Sequence, residues 1–269
     1  MRVYTHRIGA NLPRGRCATP SHVRVVSTHL MPTQIHIAHD ATQLIEDLAE
    51  ILVRDAREAI QKRGVWIFAL SGGSTPKALY NLLASPQWIG RIDWNNSVLL
   101  FGDDRAVGPD DENSNYKMAS EAFGEFIASR IVRIEGEDSD PDEAAKRYEV
   151  RIREAGDRVD SNLLGLGPDG HTASLFPHSP QLNETERRVV ATPVSTLKPF
   201  VRRITMTYPE INNSRKIYFL ITGKDKADRV QEIVNGPCDV QNLPATGIEP
   251  TDGDLIWFLD VGAATQLSR

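Results

Sequence analysis

An acid and a histidine lie two residues apart in a turn that follows an apolar run. They are Asp169 and His171, within Gly165-Leu-Gly-Pro-Asp-Gly-His-Thr-Ala-Ser-Leu-Phe-Pro177, and the run 161–166 is typical of a buried strand. The glycines, the proline and the Asp-Gly step force a sharp turn. Histidine exchanges a proton near neutral pH, so His171 is a candidate general base and acid, and Asp169 a candidate to orient it. A lone loop histidine is more often a surface residue, but two further polar loops favour a site.

A glycine-rich loop stands between another apolar run and a helical pattern. Gly72 and Gly73 allow consecutive backbone N–H groups to point inward, which at a helix N-terminus makes an anion cradle. The glycine spacing matches neither the dinucleotide fingerprint nor the Walker pattern. Taken alone, the loop fits an ordinary capped turn equally well. Hydroxyl donors are added by Ser71, Ser74 and Thr75.

A third polar loop, 102–116, follows the apolar run 97–101. Asp103 and Arg105 emerge at its start, where a guanidinium would fork onto a phosphate. The acids at 110–112 are typical of solvated loop charges, and the EF-hand spacing is absent, so no metal site is predicted.

Two further basic residues stand at element ends. Arg203 opens the run 203–207, and Lys224 lies at the start of a helical pattern. Each would complete a phosphate pocket if the fold brings these ends of the strand and the helix together. A single basic residue is more often a surface charge. In open α/β sheets ligands bind at the carboxyl ends of the strands, so convergence is expected.

Strand and helix patterns alternate along residues 31–269, which predicts one α/β domain with a mostly parallel sheet flanked by helices. Asp40 and Thr75 are the predicted N-caps of the first two helices, and Gly64 ends the first. Strands are predicted at 34–38, 65–70, 97–101, 131–134, 161–166, 189–192, 204–207, 216–221 and 255–259. Helices are predicted at 41–63, 76–83, 141–156 and 224–234.

The charge is unevenly distributed. Residues 1–30 hold five arginines and no acid, which leaves 26 basic and 36 acidic residues in the remainder. The alternatives for this segment are a disordered extension, an upstream start before Met31, or a targeting peptide. The mildly acidic balance argues against a nucleic-acid binder, and no apolar run approaches the length that crosses a bilayer. An anionic substrate must therefore be held by local donors.

Together these loops resemble the 6-phosphogluconolactonases, hydrolases of the oxidative pentose phosphate pathway. The resemblance runs from about Thr33 to the C-terminus and is most specific in the His171 loop. It implies a single Rossmann-like domain, related to glucosamine-6-phosphate deaminase, that needs no nucleotide cofactor and no obligatory metal. The expected partner is a small sugar-phosphate lactone, not nucleic acid or a membrane, in a cytoplasmic monomer or, alternatively, a dimer.

The same resemblance assigns roles to the candidate residues. His171 moves the proton, with Asp169 beside it. The phosphate and the sugar are held by Ser71, the Gly72–Thr75 backbone (Gly72, Gly73, Ser74, Thr75), Asp103, Arg105, Asn115, Arg203 and Lys224.

The chain departs from the family pattern in three places. Asp104 stands where the family usually has Glu, and Gly108-Pro109 inverts the usual order of a proline and its neighbour. Pro244-Ala-Thr-Gly247 stands where Pro-Ala-Ser-Arg is common, so no basic binding role is transferred to that segment.

Two other functions compete with the lactonase. A glucosamine-6-phosphate deaminase would use Asp103 as base, but its histidine loop carries a Glu where this chain has Phe176. A sugar-phosphate sensor would keep the phosphate cradle without the histidine and would need a DNA-binding module. Residues 1–30 are too short and unpatterned for a helix-turn-helix, so the lactonase is favoured.

Overall fold

The structure is a computed structural model that describes residues 34–267. The predicted extension 1–30 therefore lies outside the described residues. The described strands are β1 Gln34–Ala38, β2 Trp66–Leu70, β3 Ser97–Phe101, β4 Asp103–Arg105, β5 Ser161–Leu164, β6 Val189–Ala191, β7 Arg203–Met206, β8 Lys216–Ile221 and β9 Asp254–Asp260. The described α-helices are α1 Ala41–Arg63, α2 Ser74–Ala84, α3 Asn115–Ala128, α4 Pro141–Ala155, α5 Tyr208–Ile211 and α6 Ala227–Asn235.

Six strands form a parallel sheet in the order β1-β9-β8-β5-β2-β3. The predicted α/β class with a mostly parallel sheet is confirmed. Every residue of β2 is buried, as expected for a continuous apolar strand covered on both faces. Because the strands are parallel, the loops that follow β2, β5 and β8 all open at one edge of the sheet.

A second, three-stranded antiparallel sheet has the order β4-β7-β6. The sequence pattern had placed Asp103–Arg105 in a loop, and that prediction was wrong because these three polar residues pair with β7. In this register Arg105 lies directly opposite Arg203. The small sheet thus brings together two guanidinium groups that are almost a hundred residues apart in the chain.

The helix ends follow the predicted capping chemistry in α1 but not in α2. The Asp40 carboxylate accepts a hydrogen bond from the Gln43 backbone N–H, and Gly64 takes a left-handed conformation with φ 81°. In α2 the N-cap is Gly73 rather than Thr75, so Thr75 lies within the first turn. None of the described helices is both long and apolar enough to cross a bilayer.

Three other elements differ from the sequence pattern. The helix α3 was not predicted, and a kink at Gly124, with φ 73°, interrupts its periodicity. The predicted strand 131–134 is wrong because only Ile131 forms a bridge, to Leu99. The predicted helix 224–234 begins as a 3₁₀ turn over Lys224–Lys226 before α6.

Glu210 is a carboxylic acid inside the apolar core. Its side chain is 1% exposed, and neither carboxylate oxygen has a hydrogen-bond partner among residues 34–267. Arg188 Nε lies 3.5 Å from one of the oxygens. Burial raises the pKa of Glu210 to about 7, and the positive charge of Arg188 opposes the rise. The ionised form of Glu210 therefore destabilises the folded protein.

Replacing Glu210 with glutamine should stabilise the protein at alkaline pH. The pKa in the fold lies above the ordinary value of 4.5, so the wild type loses stability as pH rises from that value through about 7. At pH 8 the free energy of unfolding of Glu210→Gln should exceed that of the wild type by about 1–3 kcal/mol, a gain that shrinks towards pH 5. Urea unfolding at both pH values measures this, with the exposed Glu154→Gln as control. An equal gain in the free energy of unfolding at pH 8 and at pH 5 would contradict this prediction.

Candidate active site

A cleft of about 280 Å³ opens where the loops after β2, β5 and β8 meet the edge of the small sheet. Its volume lies near the lower end of the range for small-molecule sites. Ten of the twelve sequence-predicted residues line it, and they come from four separate segments of the chain. They are Ser71, Gly72, Gly73, Ser74, Thr75, Asp103, Arg105, Asn115, His171 and Arg203.

The glycine-rich loop presents the N-terminus of α2 to the cleft. Gly73 has φ 111°, and within the described chain no side chain caps the helix. The first N–H groups of a helix have no intrahelical partner, so those of Ser74 and Thr75 are available to an anion. Ser71 is held in place by Tyr80, whose hydroxyl accepts from the Ser71 N–H at 2.9 Å and donates to the Ser71 carbonyl at 2.8 Å.

Two guanidinium groups face the cleft with hydrogen-bonding capacity unused. Arg105 Nη1 donates to the Asn115 side chain at 2.5 Å, and Arg203 Nη2 donates to the Pro199 carbonyl at 3.4 Å. The Nε of each is buried and has no partner among residues 34–267. Burial lowers the pKa of Arg203, although the negative charge of Asp103 opposes this, and arginine stays charged in proteins. Two cations that lack a counterion in hydrogen-bond contact create a site for an anion.

The structure places Lys226, not Lys224, in the wall of the cleft. The 3₁₀ turn after β8 carries both lysines and directs the later one to the site. Thr222, the first residue after β8, also lines the cleft and shares a hydrogen bond of 2.9 Å with Thr75. The Thr-Gly step after the apolar strand indicated that the turn after β8 contributes to the cleft. It did not indicate which of the two lysines in that turn lines the cleft.

Asn115, the first residue of α3, connects β4 to the glycine-rich loop. Its Nδ2 donates to the Asp103 carbonyl at 3.0 Å, and its Oδ1 accepts from Arg105. A Cβ on Gly72 would lie 2.1 Å from Asn115 Oδ1. Glycine is therefore required at position 72 so that this amide can approach the anion cradle.

His171 is oriented by Asp169. The two side chains meet at 2.5 Å between His171 Nδ1 and Asp169 Oδ1, and the same carboxylate accepts the His171 backbone N–H at 3.2 Å. Burial acts to raise the pKa of Asp169, but the hydrogen bonds and charge of His171 hold it below its ordinary value. An ionised carboxylate only accepts hydrogen bonds, so Nδ1 carries a proton and Nε2 is the basic nitrogen.

Two neighbours restrict the position of the imidazole. The ring lies 4.7 Å from the Phe176 ring, and a Cβ on Gly167 would lie 2.1 Å from the His171 Nδ1 and Cε1 atoms. The space above Gly167 is thus filled by the imidazole itself. Asp169 stands behind the ring rather than in the wall of the cleft.

Asp103 is a buried carboxylate that also lines the cleft and is 7% exposed. One of its oxygens accepts from the Ser174 hydroxyl at 2.5 Å. This bond joins β4 to the His171 loop next to Ala173, which has an unusual φ of 46°. The second carboxylate oxygen can accept a hydrogen bond from a bound ligand.

Comparison with known proteins identifies the family of this chain. A model of the family described as glucosamine-6-phosphate isomerases/6-phosphogluconolactonase matches residues 39–257. A 6-phosphogluconolactonase of Synechocystis sp. is 36% identical over 247 residues, which cover 88% of this chain and 99% of the relative. A 6-phosphogluconolactonase of Mycobacterium tuberculosis is 35% identical over 250 residues, with coverage of 88% and 99%.

A solved structure gives the same result. The 6-phosphogluconolactonase from Trypanosoma brucei superposes with a TM-score of 0.79 at 26% identity, covering 88% of this chain and 99% of that one. The chain therefore belongs to the glucosamine-6-phosphate isomerase/6-phosphogluconolactonase family.

Proposed function

We propose that this protein hydrolyses 6-phospho-D-glucono-1,5-lactone to 6-phospho-D-gluconate, a step of the oxidative pentose phosphate pathway. The observation that carries the proposal is the pairing, in one cleft, of an aspartate-oriented histidine with two guanidinium groups whose Nε donors are buried and unused within residues 34–267. The relatives named as 6-phosphogluconolactonases support it.

The phosphate binds at the anion end of the cleft. The N–H groups at the start of α2 donate to its oxygens, and Arg105 and Arg203 supply charge-assisted hydrogen bonds. Lys226 adds a third positive charge, since within residues 34–267 its ammonium group has only a distant counterion, Asp225 at 3.9 Å. This remote anchor fixes the sugar so that its lactone carbonyl faces the imidazole.

His171 transfers the proton in both halves of the reaction. Its Nε2 takes a proton from water as the water oxygen bonds to C1, which gives a tetrahedral intermediate. The C1–O5 bond then breaks, and the imidazolium returns the proton to the ring oxygen. Asp169 keeps the imidazole in the reactive tautomer and stabilises its transient positive charge. The product is a carboxylic acid that ionises in solvent.

Water, rather than a serine, is the nucleophile. The Ser174 hydroxyl is fully buried and donates to Asp103, and the Ser71 hydroxyl donates to the Gly72 carbonyl at 3.4 Å. Each serine therefore has a partner other than His171. A catalytic serine needs a hydrogen bond to its base.

The competing deaminase reaction is disfavoured by Phe176. Its ring lies against the imidazole of His171, where the deaminase pattern has a carboxylate. An aromatic ring cannot accept a strong hydrogen bond from the imidazole, and it carries no negative charge that would favour the imidazolium.

We also propose that the enzyme is cytoplasmic and acts without nucleic acid. We propose a monomer, with a dimer as the alternative.

The direct test is a coupled assay with freshly generated lactone, in which 6-phosphogluconate is oxidised by an added dehydrogenase. The wild type should accelerate product formation far above the spontaneous rate. The same protein should release no ammonia from glucosamine 6-phosphate. Ammonia release without lactone hydrolysis would overturn the proposal.

Replacing Arg105 with alanine should weaken substrate binding much more than it slows turnover. A charge-assisted hydrogen bond to phosphate contributes about 1.5–3 kcal/mol, so KM should rise roughly 10- to 100-fold with kcat changed only a few-fold. Steady-state kinetics measure both constants. Arg91→Ala, which removes a surface arginine paired with Glu50, is the control and should leave KM unchanged. An unaltered KM in Arg105→Ala would remove Arg105 from the phosphate site.

A further inference from the structure

Asp104 is a buried carboxylate that does not line the cleft. It lies in β4 between Asp103 and Arg105, which both do, and is 3% exposed. Its oxygens accept three backbone N–H groups, from Arg105 at 2.7 Å, from Asn115 at 2.7 Å and from Tyr116 at 3.0 Å. One side chain therefore joins the strand that carries Arg105 to the first turn of α3.

The residues that Asp104 joins are those that shape the anion site. Asn115 accepts from the Arg105 guanidinium and lies against Gly72 in the phosphate cradle. If the start of α3 moved away from β4, the Asn115 amide would lose its place between these two groups. The Arg105 guanidinium would then lose one of its two hydrogen-bond acceptors, the other being the Asn113 carbonyl.

The ionised form of Asp104 suits this position. A carboxylate at the N-terminus of α3 interacts favourably with the helix dipole and can accept all three N–H bonds at once. Burial raises the pKa of Asp104 to about 6, and the three backbone hydrogen bonds oppose the rise. The charged or titratable groups that interact with it electrostatically are Asp103, Tyr148 and Arg203, whereas the adjacent Arg105 contributes its backbone N–H.

We propose that Asp104 is a positioning residue for anion binding, which holds Arg105 and Asn115 against the glycine-rich loop without touching the substrate. This inference rests on the proposed function in one respect: it takes the bound anion to be the phosphate of the substrate. It predicts that Asp104 controls the affinity of the site for the anion and leaves proton transfer at His171 unchanged.

The test uses inorganic sulfate as the probe, because sulfate binds as an anion but does not titrate between pH 5 and 8. In Asp104→Asn the sulfate dissociation constant, measured by calorimetry at pH 7.5, should rise at least ten-fold. KM for the lactone should rise to a similar extent, with kcat within about three-fold of wild type. Asp111→Asn is the matched control, since this exposed carboxylate in the loop that follows β4 also accepts a backbone N–H, from Asn113.

A second measurement keeps the proposal falsifiable if Asp104→Asn does not fold. In His171→Ala, sulfate affinity should fall at least five-fold between pH 7.5 and pH 5, as Asp104 takes up a proton. A constant or rising affinity would overturn the proposal.

The sulfate readout also separates this proposal from the proposed function. Weaker sulfate binding by Asp104→Asn supports the positioning role even if the lactone is not hydrolysed. Unchanged sulfate binding, a kcat loss that equals the rise in KM, or no sulfate binding by the wild type would each overturn it.

Discussion

Replacing His171 with alanine should lower kcat on 6-phosphogluconolactone by about 10²–10⁴-fold, the usual contribution of general acid–base catalysis. KM should change little, because the phosphate is proposed to bind Arg105, Arg203 and the start of α2, and not His171. The variant should fold, since the side chain of His171 is only partly buried and its loop is held by backbone hydrogen bonds such as Gly167 N–H to the His171 carbonyl at 2.8 Å.

The measurement is single-turnover and steady-state kinetics with the spontaneous rate subtracted. His178→Ala is the matched control, because His178 is an exposed histidine seven residues further along the same loop and does not line the cleft. It should retain wild-type turnover. Wild-type turnover in His171→Ala would exclude the proposed mechanism, whereas loss of product binding would indicate damage to the anion site.

Replacing Gly167 with alanine should be nearly as harmful as removing the histidine itself. The added Cβ would lie 2.1 Å from the His171 Nδ1 and Cε1 atoms, closer than any real contact. The imidazole must swing away, which breaks its hydrogen bond to Asp169 and moves Nε2 from the lactone carbonyl. Displacement of a catalytic group by about 1 Å costs roughly 10²-fold, so we expect a kcat loss of at least that size.

Gly165→Ala is the control for this prediction. It introduces the same methyl group two residues earlier, where the nearest atom, Ser71 Oγ, lies at an ordinary 3.8 Å. Neither glycine has a left-handed φ, so alanine fits the backbone at both positions. Wild-type turnover in Gly167→Ala would show that the imidazole does not occupy this position during catalysis. Equal losses of kcat in Gly167→Ala and Gly165→Ala would show that the added methyl group acts by disturbing the loop and not by displacing the imidazole.

Elements with strong local signals were predictable from the sequence. The bounds of β1, β3 and β8 agree with the apolar runs, and the ends of α1 agree with the capping roles of Asp40 and Gly64. Local chemistry decides such features, because a cap or an apolar run depends on neighbouring residues. The same reasoning identified the three polar loops and the class of fold.

Other features depend on distant partners. Asp103–Arg105 is polar and short, and it forms a strand only because β7 is available beside it. Ile131–Ile134 has a strand pattern but lacks a neighbour along its length, so a single bridge remains. Lys224 and Lys226 are equivalent in the sequence, and the geometry of the turn after β8 selects Lys226.

The available residue types, the ends of the parallel strands, and the imidazole, carboxylate and cations that follow those ends can all be read from the chain. Which of these groups meet depends on how the chain folds: Nδ1 of His171 meets Asp169, Arg105 lies opposite Arg203, and Asn115 lies between Arg105 and Gly72. Side-chain chemistry and local backbone preference act over a few residues, whereas the distances that permit proton transfer and anion binding are set by the packing of segments far apart in the chain.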